Sequence, residues 1–473
     1  MIEVEEANGL NSKDQKGHRY IDVTNKPMPT IQQSRTVKIR ITPPHNIMKK
    51  QKDKPPYKVP SMAEIEAIPW NGFNVVSTFS GAGGSCLGYR MAGFRVLWAN
   101  EFVEAAQEVY KLNHPNSFLD ARDIRRIQPN DILEKIGLGI GDIDIFDGSP
   151  PCASFSTAGK REAGWGKVKK YSDKTQRVDD LFFEYTRLLE GLQPKVFVAE
   201  NVSGLVKGTA KGFFKIILRA LKDCGYNVKA KVLDARWLGV PQARQRLIFV
   251  GVRNDLSLSP AYPSPLPYLY TVRDALPWID EIRKGGAFGE YRFENAENVV
   301  CDTVGTSPSS GNNKDNTAFA VKTKAIHDTK GQFSMGEITD KPSPTVTASG
   351  AGHWIIEKEA SMEGYAVGPE WEKLKPGESS DRYFNLVKPD PDKPAPTVTQ
   401  AGGFPNTASV THPTEKRKFS IAELKRICAF PDDFQLTGSY AKQWERLGRA
   451  VPPVMMCHIA ATVRDEILSK CAK

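Results

Sequence analysis

The apolar run Ile143-Asp144-Ile145-Phe146 stops at Asp147-Gly148, and Ser149-Pro150-Pro151 then turns the chain toward Cys152. A short β-branched and aromatic run of this kind reads as a buried strand. The two prolines lock φ, so the corner after it has few directions open to it. A chain built on such a corner presents the next side chain at the carboxyl end of a strand, where open parallel α/β sheets place their ligands. A solitary cysteine is ordinarily a small buried hydrophobe. Here the proline corner and the small residues after it, Ala153-Ser154-Phe155-Ser156, argue for an accessible thiol, and Cys152 is the candidate nucleophile.

The flanking sequence repeats one theme. Residues 74–79 read as a buried strand, followed by Ser80-Gly81-Ala82-Gly83-Gly84-Ser85 and an amphipathic helix through Met91. A glycine-rich strand-to-helix turn lets backbone N–H groups approach a ligand at a helix N-terminus, and it fits dinucleotide, nucleotide and S-adenosylmethionine sites alike. A second strand, 94–99, ends at Asn100-Glu101, where an acid can accept from ribose hydroxyls. A helix over 103–113 leads to a third edge at Asp120-Ala121-Arg122-Asp123-Ile124. Strand, helix, strand, helix, strand specifies a doubly wound parallel sheet of the Rossmann-like α/β class. Farther on, a helix over 178–191 carries Leu181, Phe182, Tyr185 and Leu188 on one stripe. The strand 195–199 ends in Glu200-Asn201-Val202, a carboxylate facing the same crevice as Cys152. After a helix over 212–224 come two extended segments, 227–233 and 246–252. Between them, Gln242, Arg244 and Arg246 alternate, so all three are expected to point into the site. Guanidinium forks suit phosphate or a pyrimidine carbonyl.

At 473 residues the chain exceeds one ordinary core. Four segments are expected: a polar basic extension over 1–68, a catalytic and cofactor-binding domain over 69–254, a smaller loop-rich domain over 255–415, and a return to the first domain over 416–473. The extension carries Lys49, Lys50, Lys52, Lys54 and Lys58. The loop-rich part contains an internal repeat, Asp340-Lys341-Pro342-Ser343-Pro344-Thr345-Val346-Thr347 and Asp392-Lys393-Pro394-Ala395-Pro396-Thr397-Val398-Thr399, read as two similar loops at one surface. Ser420 with Glu423 forms a capping box that opens a helix, and a final helix begins near Val454. Seven scattered cysteines argue for a reducing compartment, and no spacing suggests a metal site. No run approaches the roughly 18 apolar residues of a membrane span. The net charge of +10 suits a polyanionic partner.

Assembled in order, these motifs resemble those of the C5-cytosine DNA methyltransferases of prokaryotic or phage type. The resemblance covers about residues 73–255 and 415–470. It rests on Phe79-Ser80-Gly81-Ala82-Gly83-Gly84, Pro151-Cys152, Glu200-Asn201-Val202, Gln242-x-Arg244-x-Arg246, Phe430-Pro431-Asp432-Asp433-Phe434 and Ala450-Val451-Pro452-Pro453. It implies S-adenosylmethionine held by Phe79 through Gly84, Glu101, Asp123, Ile124, Asp147, Pro150, Leu181, Arg449, Ala450 and Val451. It implies catalysis by Cys152, Glu200, Arg244 and Arg246 on a cytosine flipped from duplex DNA. Ser154, Ser156, Lys160, Gln242, Thr347 and Thr399 are the implied DNA contacts. Residues 154–174, with Gly159, Gly164, Gly166 and a set of basic residues, read as a loop closing over the DNA. A monomeric cytoplasmic enzyme without metal is expected, acting in a prokaryotic or phage-infected cell.

The sequence departs from the family in one place. Where the last motif usually reads Gln-x-Gly-Asn, this chain has Arg446-Leu447-Gly448-Arg449. One reading gives Arg449 a carboxylated S-adenosylmethionine as donor. A second gives the same chemistry an RNA cytosine as substrate, and a third leaves nucleic-acid binding without catalysis.

Overall fold

The computed structural model describes residues 54–151, 181–207, 210–277, 279, 360–404 and 406–471, and the backbone of a few short strand pairs besides. The chain order begins β1 (Asn74–Thr78), α1 (Gly84–Met91), β2 (Arg95–Asn100), α2 (Glu104–Asn113), β3 (Phe118–Asp120), α3 (Pro129–Ile136) and β4 (Ile145–Gly148). It continues with α4 (Leu181–Leu192), β5 (Val196–Val202), α5 (Lys211–Asp223), β6 (Tyr226–Asp234) and β7 (Gln245–Arg253). After the loop-rich region come α6 (Ile421–Ile427), α7 (Tyr440–Arg449) and α8 (Pro453–Val463).

The seven strands form one sheet in the order β6-β7-β5-β4-β1-β2-β3. The strands from β5 to β3 run parallel, and β7 enters antiparallel between β5 and β6. The architecture is therefore the expected doubly wound α/β sheet with an antiparallel pair at one edge. Successive strand residues serve opposite faces. Val75, Val96 and Val198 pack with Tyr89 of α1 and Met455, Met456 and Ile459 of α8. Val76, Trp98, Phe146 and Phe197 pack with Ile132 of α3, Tyr185 and Leu188 of α4, and Leu221 of α5. Burial on both faces is why each central strand contains a continuous apolar run, Val75-Val76, Ile145-Phe146 and Val196-Phe197-Val198-Ala199, rather than alternating.

The closing segment does return to the sheet, because α8 lies directly on α1. A Cβ on Gly88 would stand 2.5 Å from both Met456 Cβ and Pro453 O, so only hydrogen fits at this crossing. The capping box forms as expected, with Ser420 Oγ accepting from the Glu423 amide and Glu423 Oε2 accepting from the Ser420 amide.

Two expectations require correction. Residues 54–68 are not a free extension. Tyr57 donates to Arg426 O, Lys54 pairs with Asp274 at 2.7 Å, the Met62 amide binds Asp433, and Glu66 pairs with Arg90 of α1. Spaced apolar residues, Tyr57, Val59, Met62 and the buried Ile65, carry this docking without any sustained period. The second repeat copy is not a free surface loop either. Ala395 bridges Gln242 in parallel, its amide donates to Pro241 O, and it accepts from the Ala243 amide. The first copy, 340–347, lies outside the described residues.

Candidate functional site

The glycine loop leaves β1 through strained backbone. Phe79 has φ of +53°, Gly81 of +58° and Gly83 of +89°, all left-handed, and Phe79 is among the few non-glycine residues to adopt it. Such strain persists where the surroundings over-determine it, commonly at a binding site. Ser80 is buried and donates to Ser77 Oγ at 3.0 Å. Ala82 is also buried. A Cβ on Gly83 would meet His114 Nε2 at 2.1 Å, and one on Gly84 would meet Val451 O at 2.4 Å. The loop is thus clamped between the end of α2 and the segment holding Ala450 and Val451. On its other side Gly81 faces open space.

Glu101, at the end of β2, holds the same loop. Its Oε2 accepts from the Gly81 amide at 2.8 Å and its Oε1 from the Val103 amide at 2.7 Å. Burial pushes this carboxyl up; those two amides, and then the charges of Arg446 and Arg449, pull it back down. Asp123, half-buried, caps its own turn through the Arg125 amide, and Ile124 is buried beside it. Pro150 and Leu181 are buried. Asp147 does not stand at the open cleft: it is 2% exposed and accepts from Ser77 Oγ and Tyr89 OH. An open glycine face beside an acid at the second strand end fits a nucleoside with ribose hydroxyls.

The carboxyl edge of β4 and β5 forms the second half of the site. Gly148 pairs with Ala199, which sets the next residues of each strand side by side. Asn201 Nδ2 donates to Pro150 O at 3.3 Å and so ties the Glu200 strand end to the proline corner. Glu200 Oε1 stands 2.7 Å from Arg246 Nε, both side chains mostly shielded from water. Burial pushes the Arg246 guanidinium down, while Glu200 opposes that shift. Cys152, Ser154, Ser156, Lys160 and Thr347 lie outside the described residues.

Gln242 and Arg244 do not share the orientation of Arg246. Gln242 is fully buried, with Nε2 toward Cys428 Sγ and Oε1 accepting from the Val398 amide, so it is not a DNA-facing side chain. Arg244 is 2% exposed and donates to Val398 O, Gly448 O and Arg449 O. Strand alternation begins only at Gln245, where β7 starts; the bridge to Ala395 sets the direction before it. Thr399 O accepts from Trp444 Nε1 at 2.8 Å, and a Cβ on Gly448 would meet this same carbonyl, so Thr399 supports α7 by its backbone.

Sequence reasoning missed Glu445. Its Oε1 pairs with Arg449 Nη2 at 2.7 Å and its Oε2 with Arg446 Nη2 at 2.9 Å. The i,i+4 spacing of Glu445 and Arg449 was the signal that could have found it. Glu445 is thus shared between Arg446 and Arg449, one carboxylate for two guanidinium groups. Asn201, Ser77 and Tyr89 were also missed, since each acts through a neighbour brought close only by folding.

The family model for C-5 cytosine-specific DNA methylase matches residues 73–465, nearly the whole of the described fold. The chain belongs to that family. It is a DNA cytosine methyltransferase, with the α/β sheet the motifs implied. It is 27% identical over 412 residues to the Type II methyltransferase M.NgoPII of Neisseria gonorrhoeae, covering 86% of this chain and 99% of that one. M.DdeI of Desulfomicrobium norvegicum is 27% identical over 414 residues, covering 82% and 88%. Among solved structures, a prophage-encoded E. coli protein described as a DNA modification methyltransferase shares the fold. Its TM-score is 0.55 at 20% identity, with 84% of this chain and 100% of that one covered. No described helix is long and apolar enough to cross a membrane, and no described cluster of His, Cys, Asp and Glu could hold a metal ion.

Proposed function

We propose that this methyltransferase uses S-adenosylmethionine to methylate C5 of a cytosine flipped out of duplex DNA, as the modification enzyme of a Type II system. The observation that carries the reading is the Glu200–Arg246 pair at 2.7 Å, on a strand end tied by Asn201 to the corner that precedes Cys152. The Type II relatives, similar over most of their length, support the modification role.

Cytosine C5 is too weak a nucleophile to take a methyl group unaided. Addition of the Cys152 thiolate to C6 forms a C6–S bond, and Glu200 supplies a proton at N3, leaving an electron-rich C5–C4 enamine. Arg246, oriented by Glu200, holds the O2 edge through a planar guanidinium. Arg244 is a positioning residue that fixes the backbone of Gly448 and Arg449. S-adenosylmethionine, when bound, supplies an electrophilic sulfonium methyl; the glycine loop, Glu101, Asp123 and Ile124 would hold it. Loss of the C5 proton, β-elimination of sulfur and return of the N3 proton to Glu200 then restore the aromatic ring, the thiolate and the acid.

The base must leave the stack, at a cost of a few kcal/mol. The resemblance assigns closure on the DNA to residues 154–174 and target reading to the region from 255 to 415, with Thr347 and Thr399 in its two repeats. The fully buried Gln242 is excluded from that set. The test is methyl transfer from tritiated S-adenosylmethionine to plasmid DNA, followed by digestion to nucleosides. Label in 5-methyldeoxycytidine is expected. Label in an N-methylated base, or only in added RNA, contradicts the reading.

A further inference from the structure

Asp147 stands at the carboxyl edge, yet no step of the proposed mechanism uses it. It lies in β4, five residues before Cys152, and is 2% exposed. Its Oδ2 accepts from Ser77 Oγ at 2.9 Å and its Oδ1 from Tyr89 OH at 3.1 Å. Ser80, in the glycine loop, donates in turn to Ser77 Oγ at 3.0 Å. The donors therefore run in one direction, from Ser80 through Ser77 to the carboxylate, with Tyr89 of α1 arriving from the other side. An ionised carboxylate, which has acceptors alone, takes up both donors at once, and the two hydrogen bonds favour the charged form.

No Lys or Arg forms an ion pair with Asp147 among the described residues. The titratable groups around it are Cys86 and Tyr89 on α1, Tyr185 on α4 and Glu200 on β5. Burial pushes the Cys86 thiol up to about 11 and both tyrosines well above their ordinary value, so these three carry no charge near neutrality. Glu200 already has Arg246. Burial, with Glu200 adding to it, pushes the Asp147 carboxyl up to about 7.

We propose that Asp147 is a positioning residue whose ionised carboxylate orders the Ser77–Ser80 end of the glycine loop and sets a negative charge beneath that loop, behind the donor site. On this inference, which rests on the S-adenosylmethionine reading, the chain distinguishes donor from product by charge. Transfer moves a methyl cation from sulfur to C5 and leaves the sulfur with its lone pair, a neutral thioether. A buried carboxylate favours the sulfonium over that thioether and so favours release of product. Because the cation stabilises the ionised form, donor affinity climbs as pH rises toward 7 and levels off above it. Product affinity stays nearly flat.

The test is calorimetric titration of the full chain with S-adenosylmethionine and, separately, S-adenosylhomocysteine, from pH 5.5 to 8.5. The ratio of the two affinities cancels the groups they share. In the wild-type chain it should rise about tenfold, equivalent to one modest charge–charge interaction. Asp147→Asn, nearly isosteric, should show a low ratio that ignores pH. Ser77→Ala keeps the carboxylate but removes its strongest donor, so the rise should move to higher pH while both ligands bind more weakly. A pH-independent ratio in the wild-type chain, or a rise retained in Asp147→Asn, overturns the proposal. If the wild-type chain binds neither ligand, the S-adenosylmethionine reading falls and takes this inference with it.

Discussion

Two arginines separated by one residue play different parts, and the difference lies in what each touches. Arg246 meets a carboxylate that is itself placed at the reacting edge. Arg244 meets three main-chain carbonyls, from Val398, Gly448 and Arg449, on segments distant in sequence. Replacing each by lysine separates the roles. Arg246→Lys retains the charge but loses the planar fork, and kcat should fall by about 10²–10³ with little change in melting temperature. Arg244→Lys cannot span three carbonyls and leaves buried acceptors unmet, so stability should fall by about 2–3 kcal/mol. Thermal melts beside single-turnover rates check both; an unchanged melt for Arg244→Lys would contradict its tying role. Sequence alternation placed Gln242, Arg244 and Arg246 on one face. That period holds only for residues already in a strand, and Pro241 through Arg244 are instead held by the 395–398 segment.

At the scale of elements, the strands ending in Glu101, Asp147 and Glu200 were legible because each is a short apolar run closed by an acid or a turn. The helices of the first half follow from their stripes and from loop glycines. What pattern alone could not supply is how α8 sits on α1. The contact depends on Gly88, which a helical pattern treats only as a weak position. Gly88→Ala should improve local helix propensity yet destabilise the protein, because a methyl must displace Met456 or the Pro453 carbonyl. Overpacking of this kind costs about 1–3 kcal/mol. A denaturant midpoint equal to or above that of the wild type would show that the two helices can part freely. Since α1 begins in the glycine loop, donor binding should weaken alongside stability.

Across the whole molecule, distant segments converge on one face of the sheet. Residues 54–68 reach α6 and α1, the second repeat joins the arginine segment to α7, and α8 returns to cover α1. The family order of the motifs made this convergence readable in the sequence, since each motif already implied a place at the carboxyl edge. The docking of 54–68 was not readable, because four apolar residues, Tyr57, Val59, Met62 and Ile65, without a sustained period look like an ordinary polar tail. Nor was the strap made by residues 392–399, where backbone hydrogen bonds do the joining and leave no compositional trace.

The proposed mechanism stands on a thiolate at Cys152 attacking cytosine C6 beside the Glu200–Arg246 pair. Fluorine at C5 cannot be lost as a proton is, so β-elimination stops and the enzyme stays bound to its substrate. The decisive measurement is the intact mass of the protein after incubation with S-adenosylmethionine and duplex DNA carrying 5-fluorocytosine at its target. The wild-type chain should gain the mass of the DNA strand plus one methyl group, and Cys152→Ala should gain nothing. An adduct that persists in Cys152→Ala, or methylation of ordinary DNA by that variant, would contradict the mechanism.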